Sequence, residues 1–167
     1  MDLQLTRIPI AKAELLIRKP ADEVYEAFIY PAGTTKFWIT KSPGKLEVGK
    51  HIRWEWEMYG VSSSNDVKIL DPAKRILLEW GAAEKPTAVV WTFTPRTNDT
   101  TFVCITNSGF SGDGDSVVEQ AMGSAAGFEL GLAGLKAYIQ HGIELNLIAD
   151  RFPDDILNRK KSNSPTK

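Results

Sequence analysis

Residues that form disulfides or metal sites are scarce in this sequence, which has one cysteine and two histidines among 167 residues. The lone Cys104 cannot form an internal disulfide and fits a reducing compartment, so we expect a cytoplasmic protein. His51 and His141 are far apart and border the ends of predicted elements, so we expect both at the surface, with no metal site and no cofactor. Cys104 has no histidine partner in the pattern and is predicted to be a buried, unreactive thiol.

Excess positive charge and long hydrophobic runs are also missing. Twenty basic and 21 acidic residues leave a formal charge of -1, which provides no positive field for a phosphate backbone. No run of about 18 apolar residues is present, and the N-terminal segment lacks the apolar core of a signal peptide. We therefore expect no nucleic-acid partner, no membrane insertion and no cleaved leader.

What remains is the composition of an ordinary globular protein, with 43% hydrophobic and 25% charged residues. The length suits one domain with a sizeable core, which we assign to residues 1–155. Residues 156–167 are polar and are predicted to form a disordered tail.

The first part of the chain predicts a strand over residues 10–18, a short helix opened by Pro20, and a second short helix or turn that carries Phe37 and Trp38. From residue 44 the hydrophobic period is two, which is typical of strands. Four alternate residues of the segment 51–60 share one apolar face: Ile52, Trp54, Trp56 and Met58. The residues between them point the other way, and the carboxylates among them are predicted to be solvated rather than an acid/base pair: Arg53, Glu55, Glu57 and Tyr59.

Further strands are predicted in residues 65–72, 74–81, 87–95 and 100–110, with turn signals between them. Six strands with short connections favour an antiparallel sheet. A long helix follows, with Ser116 and Glu119 in a capping-box pattern at its start. The predicted fold class is therefore α+β.

The long helix contains four glycines, each of which costs a helix about 1 kcal/mol relative to alanine. Gly123, Gly127, Gly131 and Gly134 form a stripe along one flank of the apolar face, so we expect a neighbouring backbone to come close there. Glu129, Lys136 and Gln140 are predicted to lie on the far, polar side. The apolar face itself consists of nine residues: Val117, Val118, Ala121, Ser124, Ala125, Phe128, Leu132, Leu135 and Ile139.

This apolar face is small in its first half and large in its second, and it is expected to lie opposite the tryptophans of the sheet. Small residues facing large aromatic ones fit either an interdigitated core or a cavity under the first half of the helix. The pattern alone favours a solid core.

Five segments of the chain, in this order, resemble the activator of heat-shock-protein-90 ATPase-like family. They are KPADEVYEAFIYPAGTTKFW, SPGKLEVGKHIRWEW, VKILDPAKRILLEW, TTFVCITNSGF and GFELGLAGLKAYIQHGIELN. That family belongs to the START/polyketide-cyclase superfamily, which the birch pollen allergen also typifies. The resemblance covers the chain from about residue 10 to residue 153.

The resemblance implies a helix-grip fold, in which a curved antiparallel sheet of about six strands wraps around the long C-terminal helix and leaves an apolar cavity between them. It thereby reverses the preference for a solid core. Family members often have tryptophan after the helix glycine, where this chain has Phe128. The eukaryotic co-chaperone also has an additional N-terminal domain that contributes to chaperone contact, so its activator role is not expected to transfer to this chain.

Ten residues are predicted to line the cavity and bind a ligand: Trp38, Trp54, Trp56, Met58, Trp80, Ala121, Ser124, Ala125, Phe128 and Leu132. Ser124, with Tyr25 or Tyr59 near the mouth, is the hydroxyl expected to orient that ligand. No catalytic residue is assigned. The leading hypothesis is a protein that binds a small lipophilic molecule, aromatic or lipid-like. The alternatives are a chaperone-interacting stress-response module and an enzyme of the polyketide cyclase or hydratase type.

Overall fold

The computed structural model describes residues 4–154 and 156, so the predicted polar tail lies, except for residue 156, outside the described residues. The elements follow the predicted order of strand, two short helices, five strands and a long helix. They are β1 (Ala11–Ile17), α1 (Ala21–Ile29), α2 (Pro31–Thr34), β2 (His51–Trp56), β3 (Val61–Asp71), β4 (Arg75–Trp80), β5 (Thr87–Arg96), β6 (Thr100–Ser108), α3 (Gly114–His141) and α4 (Leu147–Asp150).

The six strands form one antiparallel sheet in the order β1-β6-β5-β4-β3-β2. A register shift between Val67 and Ile69 marks a bulge in β3, a feature that bends a strand. The concave face carries alternate buried residues, as Ile52, Trp54 and Trp56 show in β2. Helix α3 lies across this face, and the predicted α+β helix-grip architecture is confirmed.

Strand β2 is shorter than predicted, and β3 is longer. The chain leaves the sheet after Trp56, forms a 3₁₀ turn over Glu57–Tyr59, and reverses at Gly60, whose φ of 61° is left-handed. Strand β3 then begins at Val61 rather than near residue 65. The predicted alternation therefore fails for Met58 and Tyr59, because a 3₁₀ turn does not send successive side chains to opposite faces.

Helix α3 covers the free edge of β1 as well as the core. The Nζ of Lys136 donates to the carbonyl of Leu16 at 2.7 Å, and the Oε1 of Gln140 accepts from the N–H of Arg18 at 2.8 Å. The Oε1 of Glu129 accepts a third bond, from a backbone N–H further along β1, at 3.3 Å. These side chains thus satisfy an edge strand that would otherwise expose unpaired groups, so their predicted location on a purely solvated side is wrong. Burial at this contact lowers the pKa of Lys136.

The start of α3 is capped by Asp113, not by the predicted Ser116–Glu119 box. The side chain of Asp113 accepts from the N–H of Ser116 at 2.8 Å, which makes Ser116 a first-turn residue. The helix ends at Gly142, which is left-handed with a φ of 67°. The helix therefore begins at Gly114, before the predicted start at Ser116.

Two of the helix glycines are required by close neighbours. A Cβ at Gly131 would lie 2.4 Å from a ring carbon of Trp38, and one at Gly134 would lie 3.3 Å from both the Cβ and the carbonyl oxygen of Phe37. The predicted close approach is therefore present, but at Gly131 the neighbour is an aromatic side chain rather than a backbone. The segment after α2 thereby packs directly on the helix.

The buried side chains form two separate clusters. The larger cluster joins the aromatic residues of the sheet and of α1 to Phe128, Leu132 and Leu135 of α3. The smaller one contains four residues near the start of α3: Ala11, Phe110, Val117 and Ala121. Within residues 4–154 and 156, no helix is both long enough and apolar enough to cross a membrane.

Candidate functional site

A pocket of about 770 Å³ lies between the first half of α3 and the strands β3 and β4. Its walls come from several elements, and its mouth is bordered by the C-terminal segment 148–152. Seven aromatic side chains from the sheet, the helix and their connections line it: Trp38, Trp56, Tyr59, Trp80, Phe110, Phe128 and Phe152. The pocket is therefore formed where the helix face is made of small residues.

The aromatic side chains hold one another in fixed orientations. Trp38 stacks on Phe128 with a centroid distance of 5.3 Å and an angle of 12°, while Trp80 meets Phe128 edge to face at 5.9 Å. The indole N–H of Trp56 donates to the carbonyl of Trp38 at 2.9 Å. The missing side chain at Gly131 leaves the space in which the Trp38 ring lies. This wall thus consists of aromatic rings packed against one another, a lining that suits an apolar molecule.

A polar pair lies in the otherwise apolar wall. The Nδ2 of Asn107 donates to the Oγ of Ser124 at 3.0 Å, and Asn107 is only 7% exposed. Its Oδ1 is buried without a hydrogen-bond partner in the described part of the chain. The oxygen and the nitrogen of this amide could be exchanged, so that the oxygen would accept from Ser124. In either orientation the other end of the amide is left without a partner. A buried amide in that state costs free energy unless another group pairs with it.

Tyr59 fastens the C-terminal segment over the mouth of the pocket. Its hydroxyl donates to the carbonyls of Ile148 and Ala149, the second at 3.0 Å, and accepts from the N–H of Phe152 at 3.2 Å. The Tyr59 ring also meets the Phe152 ring edge to face at 5.8 Å. One side chain from the 3₁₀ turn therefore bonds to the backbone of residues 148–152 at three points.

Arg151 lies beside the helix at the same mouth. Its Nη2 donates to the carbonyl of Gly123 at 3.2 Å, and its guanidinium lies over the Phe152 ring with the Cζ 4.9 Å from the centroid. A Cβ at Gly127 would come within 2.9 Å of its Nη1. The glycine thus leaves room for the guanidinium against the helix backbone.

Five of the ten residues predicted to bind a ligand line the pocket: Trp38, Trp56, Trp80, Ser124 and Phe128. Trp54 and Leu132 are instead buried in the larger cluster. Ala121 and Ala125 pack in or against the smaller cluster, because these two side chains meet β1 and Phe110, while their neighbours Gln120 and Ser124 line the pocket. Met58 lies in the 3₁₀ turn and lines a different, smaller pocket of about 210 Å³ beside Phe37.

The pocket also contains residues that the sequence did not single out. Asn107 is a polar residue at an inward strand position that continues the alternation of Val103 and Ile105, and this pattern could have revealed it. The serines Ser62–Ser64 belong to the unpredicted start of β3. Arg151 and Phe152 reach the pocket only through the path of the chain after α3, which no local pattern indicates.

Other polar candidates have different surroundings. Tyr25 is buried against Phe93 at 5.6 Å and does not line the pocket, and burial raises its pKa. Cys104 is half-buried on the outer face of the sheet rather than inside, because it lies between the inward-facing Val103 and Ile105. Burial, together with the nearby Glu14 carboxylate, raises the pKa of its thiol, which disfavours the reactive thiolate.

The predicted surface residues are at the surface. His51 and His141 are exposed, and His51 Nδ1 lies 2.8 Å from Asp66 Oδ1. Glu55 faces outward with Arg53, at 3.5 Å from it, so this carboxylate lies outside the pocket. The described residues contain no cluster of three or more potential metal ligands.

Several solved structures have the same fold as this chain. A protein from Staphylococcus saprophyticus, SSP2350, is 25% identical with a TM-score of 0.70 over 82% of this chain and 96% of its own. The Aha1 dimer from Colwellia psychrerythraea is 21% identical with a TM-score of 0.67 over 80% of this chain and 98% of its own. The di-domain ARO/CYC protein BexL of the BE-7585A biosynthetic pathway is 20% identical with a TM-score of 0.66 over 79% of this chain, but only 46% of BexL is covered.

Among curated proteins there is no match. The model of one protein family, however, matches residues 18–140, which comprise α1, α2, the strands β2 to β6 and nearly all of α3. The match spans well over half of the 167 residues. The chain is therefore a member of the Activator of Hsp90 ATPase homolog 1-like protein family.

Proposed function

We propose that this protein binds a small lipophilic molecule, aromatic or lipid-like, in the pocket between α3 and the sheet. The observation that carries the proposal is a pocket of about 770 Å³ with a wall of mutually packed aromatic rings and a few inward polar groups. Pockets of a few hundred to about 1,000 Å³ with such linings are typical of small-molecule sites. We further propose that residues 1–155 act as one domain and that the protein works in the cytoplasm.

The polar pair gives the ligand an orientation. The hydroxyl of Ser124 lines the pocket and accepts from the Nδ2 of Asn107, so its own O–H can donate to an oxygen of the ligand. An apolar molecule without an oxygen would leave this donor unused. We therefore expect a ligand with at least one oxygen on a largely apolar skeleton.

Binding is favoured over catalysis by the chemistry of the lining. Among the described residues that line the pocket there is no carboxylate, imidazole or thiol, the groups that most often transfer protons or act as nucleophiles near neutral pH. Hydroxyls, an amide and a guanidinium remain, and these groups orient a bound molecule. A cyclase- or hydratase-type activity, as the similarity to an ARO/CYC protein suggests, is accordingly our third hypothesis.

The binding test uses the tryptophans of the pocket as reporters. Trp38, Trp56 and Trp80 line the site, so the neutral dye N-phenyl-1-naphthylamine should quench tryptophan emission in a saturable way by energy transfer. Ser124→Phe adds a ring from the helix wall and should abolish this quenching. Met122→Phe adds the same ring two residues away, where the side chain is 68% exposed, and should leave quenching unchanged.

Thermal unfolding of each variant shows whether the fold is retained. Saturable quenching that is lost in Ser124→Phe but kept in Met122→Phe, at similar melting temperatures, supports the proposal. A wild-type protein that gives no saturable quenching with this dye, and whose melting temperature a fatty acid of similar size does not raise, contradicts it. Quenching that survives in a folded Ser124→Phe variant would locate binding elsewhere.

The family itself favours a second candidate function, interaction with a chaperone. The matching family is named after an activator of the heat-shock-protein-90 ATPase, and a solved Aha1 has the same fold. The corresponding test adds this protein to the purified chaperone at equal concentration and measures ATP hydrolysis. Strong stimulation would place a chaperone-linked stress response ahead of ligand binding.

A further inference from the structure

Arg151 is the one charged side chain among the described residues that line the pocket. The rest of that lining consists of aromatic and aliphatic groups, serine and threonine hydroxyls, and amides. A single cation in such surroundings has stronger electrostatic interactions than one in bulk water, because the neighbouring groups exclude part of the solvent. The positive charge of Arg151 therefore affects which ligands can bind in the pocket.

The guanidinium is held in place from several sides. The carbonyl of Gly123 accepts from its Nη2, the Phe152 ring lies beneath it, and the helix surface at Gly127 is open where a Cβ would come within 2.9 Å of its Nη1. The backbone of its segment is in turn fixed by the Tyr59 hydroxyl, which bonds to the residues on either side of Arg151. This is the arrangement of a positioned group rather than of a freely rotating surface side chain.

The guanidinium nevertheless has no anionic partner among the residues that the structure describes. No carboxylate of the described residues lies within 4.0 Å of it, and the Gly123 carbonyl takes only one of its N–H groups. Guanidinium groups pair with carboxylates through two parallel hydrogen bonds, which are stronger than bonds between neutral groups. The position is thus complementary to an anion that the described protein residues do not supply.

We propose that Arg151 binds the anionic group of the ligand, which is therefore a lipophilic acid with an apolar body and a carboxylate at the mouth of the pocket. The apolar body lies against Trp38, Trp80 and Phe128, and the acid group faces Arg151. This inference rests on the proposed function, since it concerns the same pocket, and it narrows the ligand class from any lipophilic molecule to acidic ones.

The experiment compares two probes of the same shape, 2-naphthoate and its neutral analogue 2-naphthamide, by isothermal titration calorimetry. The wild-type protein should bind the acid about tenfold more tightly than the amide, as one hydrogen-bonded charge pair provides. Arg151→Gln should remove that preference. Arg151→Lys keeps the charge without the planar guanidinium and should retain part of the preference for the acid. Arg53→Gln, on the outer face of the sheet, is the control and should keep the full preference.

The salt dependence of the two affinities tests the same charge pair without a variant. Raising sodium chloride should weaken naphthoate binding to the wild type more than naphthamide binding, because only the acid forms a charge pair. Equal affinity for the two probes, or a preference for the acid that persists in a folded Arg151→Gln variant, overturns the assignment of Arg151 while leaving the binding function in place. Failure of both probes and of the neutral dye would instead overturn the proposed function together with this inference.

Discussion

The glycines of α3 differ at the scale of single residues, although the sequence treats them alike. Gly123 has no atom within 4 Å of a hypothetical Cβ, whereas a Cβ at Gly131 would overlap the Trp38 ring. Neither residue has the left-handed φ that favours glycine. The requirement for glycine at Gly131 is therefore one of space and not of backbone conformation.

This difference predicts opposite effects of the same substitution. Gly123→Ala should stabilise the protein by about 0.5–1 kcal/mol, because alanine favours the helix and restricts the unfolded chain. Gly131→Ala should destabilise it by about 1–3 kcal/mol, as overpacking does, because the Trp38 ring must move. Urea unfolding at equilibrium measures both free energies.

Each variant is the control for the other, since both replace a helical glycine in α3. A destabilised Gly123→Ala protein would mean that the space beside Gly123 is occupied in solution. A neutral Gly131→Ala protein would mean that Trp38 does not pack there, and the aromatic wall of the pocket would then lack this ring.

At the scale of elements, the short segment after α3 depends on one side chain. Helix α4 has only four residues, none of them buried, so its own packing is weak. The Tyr59 hydroxyl supplies contacts to two carbonyls and one N–H of the segment 148–152. The segment is thus fixed by hydrogen bonds more than by apolar burial.

Tyr59→Phe keeps the ring and removes these hydrogen bonds. We expect a loss of about 1–3 kcal/mol in the free energy of unfolding, the cost of leaving such groups unpaired, together with faster amide hydrogen exchange in residues 147–152. Tyr30→Phe, at a tyrosine that is 46% exposed, is the matched control and should change neither quantity. Unchanged exchange in the Tyr59 variant would show that apolar contacts alone hold the segment.

At the scale of the whole molecule, α3 spans two different environments. Its second half contributes Phe128, Leu132 and Leu135 to the large core, while its first half covers the pocket and packs only on the small cluster. Local opening requires less free energy where fewer apolar contacts are broken. The pocket and the less stable half of the helix therefore coincide.

Hydrogen exchange along α3 should reveal this division. Amides of residues 118–126 should exchange at least about tenfold faster than those of residues 130–138, because they can open without disrupting the large core. A saturating pocket ligand should slow exchange in the first half selectively, since binding stabilises the closed state by mass action. Uniform protection along the helix, with no change on ligand addition, would contradict both the division and the location of the site.

The sequence by itself was sufficient for the fold. The change from a period of two to a helical period, the turn signals between strands and the ordered resemblance to a family together predict six antiparallel strands and a long helix, all of which are present. These features are local or nearly so, because each strand pairs mostly with its neighbour in the chain. It also predicted part of the pocket, since five of the ten residues expected to bind a ligand line it, four of them large aromatic residues and the fifth Ser124.

Only the tertiary structure decided which face of each element meets the pocket. Trp54 and Trp56 alternate identically in the sequence, yet only Trp56 reaches the site, because the curvature of the sheet and the position of α3 separate them. Asn107, Tyr59 and Arg151 come together from a strand, a turn and the chain after α3. Their proximity depends on long-range packing, which no periodicity within one segment encodes.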